Sequence, residues 1–151
     1  MLRLSYEMNH QLQRDSGLSL NDYHVLNALA DSAEHRLQLT ALAARISWER
    51  SRLSHHIKRM SARGLVRLTP SPSDRRATDA ALTDAGHSAL LAATPAHADF
   101  IRAIVFHELD PSLLPPLRAA LGQVHEQLLA HATLPHPGPP QNRLAGLRVG
   151  D

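Results

Sequence analysis

Arg52, His55, Lys58 and Arg59 fall on one side of a helical wheel drawn around Leu53, with Ser51 and Ser54 beside them and Trp48 at the edge. Guanidinium, imidazole, ammonium and hydroxyl groups on one helix face suit the major groove of a duplex. Arginine pairs there with guanine N7 and O6, and serine or histidine reaches other base edges. On its own such a face is equally the solvated side of an ordinary basic helix. A second cluster follows within a few residues. The stretch SPSDRRATDAALTDAG, Ser71 to Gly86, places Asp74, Arg75 and Arg76 on a proline-bounded turn and continues into an alternating, strand-like run. Arginines held out on a loop beside a groove-reading helix can enter the adjacent minor groove. Asp74, two residues before Arg76, is placed to orient a guanidinium through a charge-assisted bond, or to cap the turn's backbone.

The elements that must position these groups follow from periodicity and caps. Leu2, Leu4, Met8 and Leu12 set a first helix that ends at Asp15–Gly17, and Ser19 caps a second whose Tyr23, Leu26, Leu29 and Ala30 share a face. Thr40 is expected to cap a short third helix with Leu42 and Ile46 inward. Ser47 is expected to open a fourth, with Leu53, Ile57 and Met60 as a narrow apolar stripe and Gly64 as its left-handed stop. LVRLT and RRATDAAL then read as the strands of a hairpin. A long helix from Asp84 to Leu109 follows, with Pro95 expected to kink it, and a last helix runs from about Pro111 to Ala132. The fold class is thus mainly α with a small β-hairpin wing.

Composition narrows the function. The 151 residues make one domain of ordinary size, and a net charge of +2 leaves any nucleic-acid argument to the placement of charge rather than its sum. The chain has no cysteine, which excludes disulfides, thiolate metal sites and a thiol redox switch. The N-terminus is too polar for a signal peptide and no apolar run approaches the ~20 residues of a membrane span, so a cytoplasmic protein without a membrane partner is expected. The tail from residue 133 carries four prolines and three glycines and is expected to be disordered. No HExxH, glycine-rich phosphate loop or nucleophile elbow is present, and HEQLLAH has the wrong spacing to bring two imidazoles to one helix face. Neither catalysis nor a cofactor is expected. Eleven histidines keep a metal-responsive regulator open, through His24, His87, His97 and His107, and a winged-helix interaction module that does not bind DNA stays open beside it.

DSGLSLNDYHVLNALAD, LTALAARISWERSRLSHHIKRMSARGLVRLTPSPSDRRA and LTDAG, in that order and spacing, resemble the MarR family of bacterial regulators, over roughly Asp15 to Leu129. The resemblance implies a winged helix-turn-helix with dimerisation helices at both ends of residues 1–132: a DNA-binding lobe at about 19–83, and 1–16 with 84–132 pairing two subunits. It implies a homodimer that binds a pseudo-palindromic double-stranded operator, usually as a repressor, and answers a small aromatic or phenolic effector. Ser51, Arg52, Ser54, His55, Lys58 and Arg59 would read DNA from the helix, and Asp74, Arg75 and Arg76 from the wing. Two departures from the family pattern stand out. Family members usually carry further helix ahead of the position of Met1, and His55 stands where they often have arginine.

Overall fold

The computed structural model describes residues 2–72, 74, 76–131 and 133. Arg75 and nearly all of the expected disordered tail therefore lie outside the described residues, as does Ala132 at the expected end of the last helix. The elements run α1 (Leu2–Ser16), α2 (Leu20–Ala30), β1 (Arg36–Gln38), α3 (Leu39–Arg45), α4 (Arg50–Ala62), β2 (Val66–Pro70), β3 (Thr78–Leu82), α5 (Asp84–Ile101) and α6 (Leu114–Ala130). A π-helical turn, Arg102–Phe106, extends α5, and a 3₁₀ turn, Pro111–Leu113, leads into α6. The architecture is mainly helical with one small antiparallel sheet, as the sequence led us to expect.

The core is built around α2, which buries residues on nearly every side: Leu20, Asp22, Tyr23, Val25, Leu26, Ala28, Leu29 and Ala30. One apolar face was legible in the sequence, but neighbours on all sides use the rest. Leu12 of α1, Leu42 of α3, Leu53, Ile57 and Met60 of α4, and Leu90 and Ala93 of α5 pack in the same cluster. The sequence-derived hairpin is present, but the sheet has a third strand. β3 lies centrally in the order β1-β3-β2, with Leu37 opposite Ala80 and Leu68 opposite Ala80 on the other side. β1 is three residues long, too short for an alternating pattern to be detected.

Both turns flanking α4 are Schellman motifs, and the first of them corrects the expected start of that helix. At the end of α3, the N–H of Ser47 donates to Ala44 O (3.2 Å) and that of Trp48 to Ala43 O (2.9 Å), with Ser47 in the left-handed region at φ 55°. Ser47, a residue type that favours N-caps, here closes the preceding helix. α4 begins three residues later, with Glu49 in the cap position and no side-chain capping bond. Thr40 likewise does not cap α3. The strand β1 runs straight into that helix, and Gln38, still extended, takes the cap position. At the far end of α4 the same geometry recurs with glycine: Gly64 at φ 74°, its N–H on Ser61 O (2.9 Å), and Leu65 N–H on Met60 O (3.0 Å).

The LTDAG segment has a physical reason. The Thr83 hydroxyl donates to Gly64 O (2.7 Å) and accepts from Gly86 N–H (3.0 Å), so it joins the end of α4 to the start of α5. A Cβ on Gly86 would stand 2.0 Å from the Leu65 carbonyl oxygen. Only glycine allows α5 to start so close to that backbone. Pro95 lies inside α5 without interrupting it, and the departure from α geometry comes at Arg102–Phe106. By length and composition alone the continuous Asp84–Phe106 helix is apolar enough to cross a membrane, which corrects the expectation that no run approaches that length. Its inward face, Leu90, Ala93 and His97, is buried, with His97 held by Gln11 of α1.

Candidate nucleic-acid interface

α4 sets its own orientation. Leu53, Ile57 and Met60 are buried, as the stripe predicted, and their burial turns Ser51, Arg52, His55, Lys58 and Arg59 to the surface. Ser54 is half-buried, and its hydroxyl donates to Arg50 O of the preceding turn (2.9 Å). Six of the expected side chains thus come from one helix, five of them exposed. Trp48, expected at the edge of this face, is instead buried as the apolar residue that follows the α3 turn.

In the wing, Asp74 and Arg76 are both exposed. The Asp74 carboxylate accepts from the backbone N–H of Arg76 (2.9 Å), and its carbonyl from Ala77 N–H (2.9 Å). Of the two roles open to Asp74, capping the turn is the one observed, which leaves the Arg76 guanidinium directed by the turn's backbone rather than by an ion pair. Ser71 N–H donates to Ala77 O (2.9 Å) and closes the base of the loop.

Behind the donor face lies a polar shell that the sequence reading missed. Asp22, buried on α2, accepts from Ser19 N–H while its own N–H donates to the Ser19 hydroxyl, a reciprocal capping box. Its carboxylate also accepts from Arg63 Nη1 (2.7 Å), whose Nη2 donates to Gly17 O (3.1 Å). His56 Nε2 lies 3.0 Å from Asp22 Oδ1, a close electrostatic contact rather than a well-aligned hydrogen bond. Burial by itself would raise the Asp22 pKa, but His56, Arg63 and Ser19 together outweigh it and hold the carboxyl well below the usual range. The carboxylate is therefore ionised at neutral pH and ties the α1–α2 junction to the C-terminal end of α4. Two signals were available in the sequence. Ser19 and Asp22 have capping-box spacing, and His56 sits three residues after Leu53 and one before Ile57, on the apolar stripe.

The four histidines named for a metal site do not come together as one group, although His24 lies near enough to His97 for their charges to interact. His97 Nδ1 bonds Gln11 Oε1 (2.7 Å), His87 stacks on His35 with ring centroids 5.9 Å apart, and His107 pairs with Glu108 (3.2 Å). Among the described residues no group of three or more His, Asp or Glu side chains is arranged to hold a metal ion. On the surface of the lobe, between α2 and the end of α3, His24, Asn27, Ala28, Asp31, Arg45 and Ile46 line an open groove of about 440 Å³, across which Arg45 pairs with Asp31 (2.8 Å).

The C-terminal arm differs in kind. Among the described residues α6 buries none, and Leu114, Leu117, Leu121, Val124 and Leu128 are exposed along it, as are Ile104, Val105 and Phe106 before it. The spacing from Leu114 to Leu128 alternates threes and fours, the seam of a helix that packs on another.

Comparison with known proteins places this architecture. A family model described as the MarR family matches residues 16–77. The chain is similar to Sco3205, a MarR family transcriptional regulator from Streptomyces coelicolor solved in complex with DNA, at 38% identity and a TM-score of 0.82, covering 89% of this chain and 85% of that one. It is similar to AbsC, a second MarR family regulator from Streptomyces coelicolor, at 35% identity and a TM-score of 0.74, covering 84% and 88%. Bordetella bronchiseptica BpsR, whose DNA binding is regulated by 6-hydroxynicotinic acid, matches at 25% identity and a TM-score of 0.68, covering 83% and 90%. No curated protein sequence matches the chain.

Proposed function

The chain belongs to the MarR family of transcriptional regulators, and on that premise we propose that it binds a pseudo-palindromic operator as a homodimer and represses the adjacent promoter until a small aromatic effector releases it. The observation that carries this reading is the exposed donor face of α4: Ser51, Arg52, His55, Lys58 and Arg59, with Ser54 at its margin, backed by a buried apolar stripe that leaves the helix no other orientation. Arg52, Arg59 and Ser51 meet base edges, Lys58 and His55 base edges or phosphates, and Arg76 of the wing the neighbouring minor groove. Arg75 belongs to the same wing in this reading, and Asp74 shapes the turn that presents Arg76.

The homodimer rests on the arm. Among the described residues nothing covers this helix with its apolar seam and no buried residue, and an isologous pairing of two such helices with the exposed Leu2 and Tyr6 end of α1 removes that surface from water. Residues 1–16 and 84–132 are the dimerisation part, and 19–83 the DNA-binding lobe. Two-fold symmetry then requires half-sites about one helical turn apart. The effector class follows from BpsR, regulated by a hydroxylated aromatic acid.

Selection of bound duplexes from a random pool tests the reading. A two-fold symmetric consensus bound by a dimer, with affinity falling steeply as salt rises, is the expected result. Recovery of no consensus, with retention independent of salt, sinks it and favours a winged-helix interaction module.

A further inference from the structure

Two arginines of the donor face are held from inside the protein, by side chains that DNA does not reach. The rings of Trp48 and His56 meet edge to face, centroids 5.4 Å apart, and both residues are buried. Arg52 lays its guanidinium over the Trp48 ring at 4.2 Å. Two helical turns on, Arg59 Nη2 lies 3.1 Å from His56 Nδ1. Guanidinium has donors and no acceptor, so this contact requires the lone pair of the imidazole on Nδ1. The ring proton is then on Nε2, the nitrogen that faces Asp22 Oδ1 at 3.0 Å. Asp22 in turn is fixed by Ser19 and Arg63. A line of contacts therefore runs from the N-terminus of α2 through a buried imidazole to an exposed arginine.

We infer that Trp48 and His56 are positioning residues, which set the directions in which Arg52 and Arg59 leave α4 and so which base edges they reach. The inference rests on the reading of α4 as the DNA-reading helix. A long side chain free to sample its rotamers loses that freedom on binding, and one already held in place loses less. The direction matters more than the charge for bidentate pairing with guanine, whereas a phosphate contact tolerates a wandering guanidinium. Loss of the inner contact therefore lowers discrimination between the operator and other DNA and leaves the salt dependence in place. It also follows that His55 and His56, adjacent in sequence, have separate tasks: one faces outward and the other supports a neighbour.

The test compares the full chain with His56→Phe, His56→Gln and His56→Asn, each alone and combined with Arg59→Ala, on a selected operator, its single-base-pair variants and a scrambled duplex. Phenylalanine keeps the ring against Trp48 without the acceptor. Glutamine can still reach Asp22 but offers no acceptor at the Nδ1 position, and the asparagine carbonyl takes that position. The ratio of operator to scrambled-duplex affinity is expected to fall roughly five- to tenfold in the Phe and Gln variants, the scale of one misaimed bidentate contact, with the salt slope unchanged. Asn is expected to recover most of it, and the Phe substitution, which keeps the ring against Trp48, to be silent once Arg59 is alanine. Folded Phe or Gln variants with parental discrimination, an Asn variant no better than Phe, or an undiminished loss in the Arg59→Ala background each overturn the inference. If the Phe variant does not fold, the Gln and Asn pair decides. Parental binding by Arg52→Ala and Arg59→Ala themselves is a different failure: it removes α4 from DNA and with it the proposed function.

Discussion

The lobe from α2 to β3 and the arm beyond α5 both carry apolar stripes at helical spacing, and these have opposite fates. In the lobe, Leu26, Leu29, Leu42, Leu53, Ile57 and Met60 are buried within one chain, and Ser19 and Asp22 cap each other at its edge. In the arm, Leu121 is 59% exposed and Leu128 65%. An apolar stripe at helical spacing says that a face will be covered and nothing about what covers it. The lobe buries its stripes within one chain, and the arm leaves its stripe exposed among the described residues, which is the face we propose a second copy covers.

The largest expected effect breaks the arm and leaves the lobe. Leu117→Glu with Leu121→Glu places two charges on the seam, and we expect a monomer by light scattering with operator affinity down about a hundredfold or more, since each half-site then binds alone. The lobe should keep its cooperative unfolding. A double variant that stays dimeric, or one whose lobe no longer folds, would erase the distinction between the two regions.

Where α5 meets the lobe, the close approach of Gly86 to Leu65 gives the next effect. Gly86→Ala drives a Cβ into the Leu65 carbonyl, and a loss of about 3 kcal/mol in denaturant unfolding is expected, at the upper end of overpacking costs. A wild-type midpoint would mean that α5 slides freely on the lobe.

Arg76→Ala addresses the exposed part of the lobe. It should leave folding unchanged, weaken operator binding about tenfold and lower the salt slope by roughly one unit per lost contact, two per dimer. Unchanged affinity and slope would take the wing off the DNA.

His97 lies where α5 meets α1 and α2, its ring 4.8 Å from that of Tyr23. Burial, and then the charge of His24, depresses its pKa below the ordinary histidine value, and burial also depresses that of His24. The unfolded chain then binds more protons than the folded one in the range just below the unfolded value of about 6.5, so stability should fall as pH drops through that value. His97→Asn should flatten part of the decline between about pH 7 and 5. An equally steep decline in the variant would assign it to other groups.

The smallest effect returns to the arm with the substitution made at Gly86. A Cβ on Gly122 meets nothing within 4 Å among the described residues, so Gly122→Ala should add up to about 1 kcal/mol of helix stability, opposite in sign to Gly86→Ala. A loss of dimer in its place would put Gly122 at the point where the two α6 helices come closest.

The sequence by itself determined what is local. The stripe Leu53, Ile57 and Met60 with donors opposite, the stop at Gly64, the cap at Ser19 and the hairpin all depend on neighbours within a turn or two, and each is visible as a spacing. Where the local signal had two uses, only the tertiary structure chose. Ser47 has the chemistry of an N-cap and closes α3 instead, because Trp48 after it is drawn into the core. Asp74 can reach a guanidinium or a backbone N–H, and the turn brings the N–H. His56 lies on the apolar stripe by spacing, but only the packing puts Asp22 and Trp48 beside its ring. Asp22 and Arg63 are 41 residues apart in the chain and 2.7 Å apart in space. No periodicity encodes such a pair, since its partners meet only after the helices that carry them have packed.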